Sequence, residues 1–141
     1  MRIYPSDDAR AAFVRLEGGD DLLERLNAVA AELRFDAATL QIVGAVERLA
    51  VAYYRQDTHE YERHEYDAPH EISGGVGNVS LKDGEPFVHI HVTGSGADGK
   101  AVAGHLTRGT RVFLIEAYFR RLDGPAPVRQ FEEDLGLPVW Q

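Results

Sequence analysis

The chain contains no cysteine. That absence removes disulfides, thiolate nucleophiles and every cysteine-based metal site, so any metal must be held by His, Asp or Glu. It also fits a reducing compartment, and the cytoplasm is the expected location. No apolar run approaches the roughly 20 residues that span a bilayer. The first residues, MRIYPSDDARAAF, carry neither the apolar stretch nor the cleavage site of a secretory signal, and no membrane partner is expected. Basic charge is scarce as well. Fifteen Lys and Arg against 23 Asp and Glu leave a net charge of −8 and a pI near 5.2, the wrong sign for a surface that must neutralise several phosphates. Non-specific DNA binding is therefore disfavoured. Arg108, Arg111, Arg120, Arg121 and Arg129 form the nearest approach to a basic cluster, and their spacing reads as a solvated face. No G-x-S-x-G elbow occurs, so serine nucleophile chemistry has no support.

What the chain does have is the make-up of one ordinary globular domain. Its 141 residues are 44% hydrophobic and 27% charged, enough to bury a core without staples. The expected domain covers residues 1–125, with 126–141 as a proline-containing tail in which FEEDLG reads as one helical turn. AAFVRLE at 11–17 reads as a strand. After the Gly18-Gly19 break, Asp21 and Glu24 have capping-box spacing, and Leu22, Leu26, Val29, Ala30 and Leu33 recur as one helical stripe. Residues 39–55 are apolar nearly throughout, and their Val and Ile content favours strand. HEYERHEY reads as a solvated edge. His59 and His64 within it are five apart, not the i, i+4 pair of H-E-x-x-H. Asp83-Gly84 marks a turn, FVHIHV a strand and RVFLIEAYFRRL another. The order gives an α+β class, a mixed or antiparallel sheet packed with one main helix near the N-terminus.

Residues His89 to Leu106, HIHVTGSGADGKAVAGHL, hold the chemistry. Gly94, Gly96 and Gly99 spell G-x-G-x-x-G, but a dinucleotide loop must open a helix, and the branched and small residues that follow do not form one. A hairpin explains the same glycines. Gly96-Ala97-Asp98-Gly99 fits a turn ending in a left-handed residue. A three-residue loop, 97–99, then sets Gly96 opposite Lys100 and His91 opposite His105. His89 shares a face with His91, two residues away. Three neutral imidazoles on one face suit a metal with an open fourth position, zinc first, with iron, nickel or cobalt also tolerated. The alternative is a set of half-buried strand histidines bonded to neighbours. His70 reads as a turn residue. Glu116, placed mid-run in VFLIEAYF, must either pair with an arginine such as Arg15 or face the site as an acid/base or supporting group.

The block PFVHIHVTGSGADGKAVAGHL resembles the signature of the plants and prokaryotes conserved (PPC) domain. VRLEGGDDLLERL, EISGGVGNVSLKDGEPFVHIHV and GTRVFLIEAYF continue the similarity over roughly residues 11–122. Typical members have G-G-H-L where this chain has Ala103-Gly104-His105-Leu106. The resemblance implies an α+β domain that assembles as a homotrimer, with His89, His91 and His105 as metal ligands, often of zinc. A more distant likeness in fold links it to acetolactate decarboxylases and related zinc enzymes. Plant members join the domain to an AT-hook, which explains the DNA-binding label of bacterial ones. Two functions follow as expectations. In the first, a trimer with a three-histidine metal site binds a small carboxylate or carbonyl compound, as a lyase or hydrolase would, with Glu116 as catalytic proton shuttle and Arg15 as ligand-binding anion clamp. In the second, the chain is a regulatory module that binds DNA or a protein partner, although it lacks an R-G-R-P core and is acidic.

Overall fold

Alternation of buried and exposed residues sets the architecture. In AAFVRLE, Ala12, Val14 and Leu16 are buried while Phe13 and Glu17 are exposed, the period-two signature of a sheet with one covered face. The structure, a computed structural model, describes all residues 1–141. In chain order its elements are β1 (Arg2–Pro5), β2 (Ala11–Glu17), α1 (Leu22–Leu33), β3 (Ala38–Arg55), β4 (Glu60–Tyr66), β5 (His70–Lys82), β6 (Glu85–Ser95), β7 (Ala101–Leu106), β8 (Arg111–Arg121), β9 (Arg129–Glu132) and β10 (Leu137–Trp140).

The main sheet runs β1-β2-β8-β3-β5-β6-β7, with β4 added on β3. All its strand pairs are antiparallel, and the one parallel contact is an isolated bridge between Leu81 and Val128. The α+β class holds; the single helix follows two strands. β3 fills the expected 39–55 segment and extends to 18 residues, with partners along both edges for most of its length. Its first half lies between β8 and β5, and its second half between β4 and β7. The path β3-β5-β6-β7 thus returns to β3 at Val51↔Leu106 and Ala52↔His105, which closes the strands into a ring and fixes His105 from two sides. Gly44 allows the bulge within the first half, where the pairing with β5 shifts between Ile42 and Gly44. Its φ is +138°, and a Cβ there would lie 2.2 Å from the carbonyl oxygen of Leu114.

Helix α1 covers the inner face, with Leu22, Leu26, Val29 and Ala30 fully buried against a core that includes Leu40, Leu49, Ile90, Ile115 and Phe119. Asp21 caps it by accepting from the Glu24 N–H at 3.0 Å, while the Glu24 carboxylate faces Arg108 at 3.4 Å, so only half of the expected capping box forms. Asn27 ties the helix to the site strand: its Oδ1 accepts from the Val88 N–H at 2.9 Å, and its Nδ2 donates to the Leu23 carbonyl at 2.9 Å.

The tail departs from expectation. FEEDLG is the bend of a second hairpin, not a helical turn, because Arg129–Glu132 pairs in register with Leu137–Trp140 and leaves 133–136 to turn the chain. Gly136 supplies the left-handed residue, φ +62°. Leu81 N–H donates to the Pro127 carbonyl at 2.9 Å, and the Tyr54 hydroxyl donates to the Leu135 carbonyl at 2.6 Å. These bonds hold the hairpin against the sheet.

Candidate metal centre

Two turns place the histidines. Asp83 and Gly84, with φ of +53° and +82°, make a two-residue turn that pairs Lys82 with Glu85 and so sets Asn78 opposite His89 and Val76 opposite His91. At the next turn Gly99 has φ +74° and donates to the Gly96 carbonyl at 2.9 Å, while Gly96 N–H donates to the Lys100 carbonyl at 3.3 Å. The register is the expected one, His91↔His105. No helix follows Gly99, and β7 takes its place. Gly77 lets β5 approach His89: a Cβ would lie 2.2 Å from the His89 carbonyl oxygen.

His89, His91 and His105 therefore converge on one face. Their ring centroids are 5.0 to 5.3 Å apart, and one ligand nitrogen from each lies within 4.8 Å of the others. A tetrahedral ion with metal–nitrogen bonds near 2.0–2.1 Å needs nitrogens about 3.4 Å apart, so binding would draw the three rings together from their present spacing. The donor set fits a metal chemically as well. Burial, then the charge of Arg129 and the neighbouring His91, holds the His89 pKa down to about 4; burial, then the other two histidines and Arg129, does the same to His105. Both are neutral at pH 7, the form that ligates. His91 is the exposed member and opens the triad to the cavity.

That cavity has a volume of about 520 Å³. Tyr54 and Tyr61, cross-strand partners on β3 and β4, form one wall, with the Tyr61 ring 5.3 Å from that of His105. The β9–β10 hairpin forms a second wall through Arg129, Leu137, Pro138 and Val139. Sequence reasoning missed both walls. HEYERHEY is indeed an exposed edge, yet its Tyr61 reaches the site. Arg129 is not part of a solvated face but half-buried, donating from Nε to Ser80 Oγ at 2.9 Å, from Nη1 to the Pro138 carbonyl at 3.1 Å and from Nη2 to Asn78 Oδ1 at 3.2 Å, with Nη2 also 3.4 Å from His89 Nδ1. No periodicity marks such a residue, because a two-stranded flap brings it there. The other four arginines of that group are exposed, and Arg108 and Arg111 face Glu24 and Glu47.

Arg15 and Glu116 stand opposite each other on β2 and β8, and neither lines the histidine cavity. Glu116 is exposed, so the burial cost that singled it out does not arise, and Arg15 pairs with Glu17 at 2.6 Å. His70 starts β5, buried, with Nδ1 2.8 Å from the Ala68 carbonyl. No helix is long and apolar enough to cross a membrane.

Comparison with known proteins agrees with this geometry. The chain aligns over its full length with a metal-containing protein of Archaeoglobus fulgidus at 36% identity and a TM-score of 0.88, covering 99% of this chain and 96% of that one. A plant- and prokaryote-conserved (PPC) protein of Pyrococcus horikoshii matches at 28% identity, TM-score 0.89, with coverage of 99% and 94%. A Bacteroides thetaiotaomicron protein provisionally assigned to DNA binding shares the fold at 22% identity, TM-score 0.89, with coverage of 99% and 96%. No curated protein matches. The model of the Plants and Prokaryotes Conserved (PCC) domain matches residues 5–123, and the chain belongs to that family.

Proposed function

We propose that the protein is a metal-binding domain whose three histidines, His89, His91 and His105, hold a divalent ion, zinc first, at the floor of a small-ligand cavity. The observation that carries this reading is the convergence of the three ligand nitrogens within 4.8 Å in a cavity where two of the rings are held neutral. The metal-containing relative at 36% identity supports it. When bound, the ion would supply a Lewis-acidic position for an oxygen-bearing ligand. The chain's own residues do the rest: Tyr54 and Tyr61 shield one side, the β9–β10 hairpin covers another, and the exposed edge of His91 leaves the approach. Arg15 and Glu116 lie on the outer sheet face of the same chain, so a role for either requires a second protomer. Self-association, as the trimer that the resemblance implies, draws support from the exposed Phe13, Val43, Val76 and Phe113; a mass of three chains in sedimentation equilibrium is the expected result.

Metal content of chelator-washed, zinc-reloaded protein tests the site. One ion per chain is expected, with loss in His91→Ala and His105→Ala. The DNA-binding reading rests on neighbours that share the fold at low identity, against a net charge of −8. Metal retained in both variants, together with a salt-sensitive complex with duplex DNA, would favour it instead.

A further inference from the structure

Four arginines are half-buried: Arg15, Arg25, Arg48 and Arg129. Three of them meet a carboxylate, Arg15 with Glu17, Arg25 with Asp20, and Arg48 with Glu65 and Asp67. Arg129 meets none. Its partners are neutral oxygens, a neutral imidazole and the ring faces of Phe87 and Trp140 at 5.3 and 5.6 Å. Removing a cation from water without a counter-ion is unfavourable unless something else compensates it. In a chain with 23 acidic residues, no carboxylate lines this cavity, whereas Lys82 lines it along with Arg129. Lys82 forms no ion pair and sits 5.4 Å from the Phe87 ring.

We propose that the cavity selects a carboxylate, with Arg129, assisted by Lys82, binding the acid group of an organic acid whose body is aromatic or branched. The guanidinium has five N–H donors. Its four bonds leave one on Nη1, and the 3.4 Å contact to His89 Nδ1, the longest of the four, gives way first. With its proton on Nδ1, the tautomer that also frees Nε2 for a metal, His89 no longer accepts from the guanidinium, and that N–H turns to the carboxylate. The organic body follows from the rest of the lining: Tyr54, Tyr61, Phe87, Leu137 and Val139 offer apolar surface that an inorganic anion leaves uncovered. A volume near 520 Å³ lies within the range of about 300–1,000 Å³ usual for metabolite sites. This proposal rests on the reading of the cavity as a ligand site but not on its metal.

The test is calorimetric titration of chelator-washed protein with 3-phenylpropanoate and with the uncharged 3-phenylpropan-1-ol. A charge-assisted contact predicts that the acid binds about tenfold or more tightly than the alcohol. Arg129→Gln is expected to erase that ratio while the affinity for the alcohol stays within about twofold, since the apolar walls remain. Loss of the hairpin would instead weaken both ligands, so Lys82→Gln is the companion variant; it lowers the ratio by about threefold without touching the bonds that hold β9. Working on chelator-washed protein separates this inference from the metal reading, because a ratio that Arg129→Gln erases in metal-free protein cannot come from the ion. Equal affinity for acid and alcohol, no binding of either, or a ratio that survives Arg129→Gln overturns the proposal.

Discussion

Strand β6 carries two kinds of residue on its two faces. Val88, Ile90 and Val92 are no more than 2% exposed and pack in the core, where helix α1 meets the strand through Asn27. Phe87, His89 and His91 alternate with them and line the cavity. The first set is apolar, close-packed and replaceable only by residues of similar volume. The second is partly open to the cavity, and its His89 is held neutral chiefly by burial. One register serves both, since a slip of a single residue would send the histidines into the core and the valines into the cavity. The folding energy on the inner face thus fixes the geometry on the outer one, and the two should be separable by substitution.

The sharpest way to break that division is on the core side. Ile90→Ala leaves a cavity beneath α1 and is expected to cost about 2–5 kcal/mol in chemical denaturation, while zinc stoichiometry of the folded fraction stays at the wild-type value. A variant that lost metal in proportion to stability would show that the faces are not independent. Gly77→Ala is the case where they meet. The added methyl would stand 2.2 Å from the His89 carbonyl oxygen and 2.7 Å from Ile90 Cβ, so β5 must shift away from β6 at the site itself. An expected loss of about 1–3 kcal/mol should come with weaker zinc binding measured by competition with a chelator. Unchanged zinc affinity would mean that the triad tolerates a displaced β5.

Legibility in the sequence follows the same division. The alternation in FVHIHV and the helical stripe from Leu22 to Leu33 report burial directly, so β6, α1 and the class of fold can be read from them. The histidine register can be read too, because Gly99 fixes the loop and the loop fixes the pairing. The cavity walls cannot. Tyr61 lies in a segment whose residues are nearly all exposed, and only the return of β3 beside β7 brings it to His105. Arg129 lies beyond a run of prolines and glycine, and its place depends on the Leu81–Pro127 and Tyr54–Leu135 bonds, contacts between distant parts of the chain. Glu116 misled for the complementary reason: an apolar run flags a carboxylate as costly only if both faces of the strand are covered, and the β8 face bearing Glu116 is open.

The smallest expected effect is in acid, and it isolates the outer face. In the unfolded chain, histidine takes up a proton near pH 6.5; in the folded chain, His89 and His105 do so only near pH 4. Between those values the unfolded state binds more protons than the folded one, so the stability of metal-free protein falls as the pH is lowered from about 6.5 to about 4 and levels off for these groups below that. Both rings are partly exposed, so solvent screening keeps the change below that of Ile90→Ala. Replacing both histidines by glutamine, which cannot titrate, should flatten this part of the stability profile relative to the parent protein, measured by denaturation at fixed ionic strength. Ile90→Ala, by contrast, should lower the whole profile without changing its slope there. If the slope persisted in the glutamine variant, the acid sensitivity would belong to groups elsewhere, and the neutrality assigned to His89 and His105 would lose its thermodynamic signature.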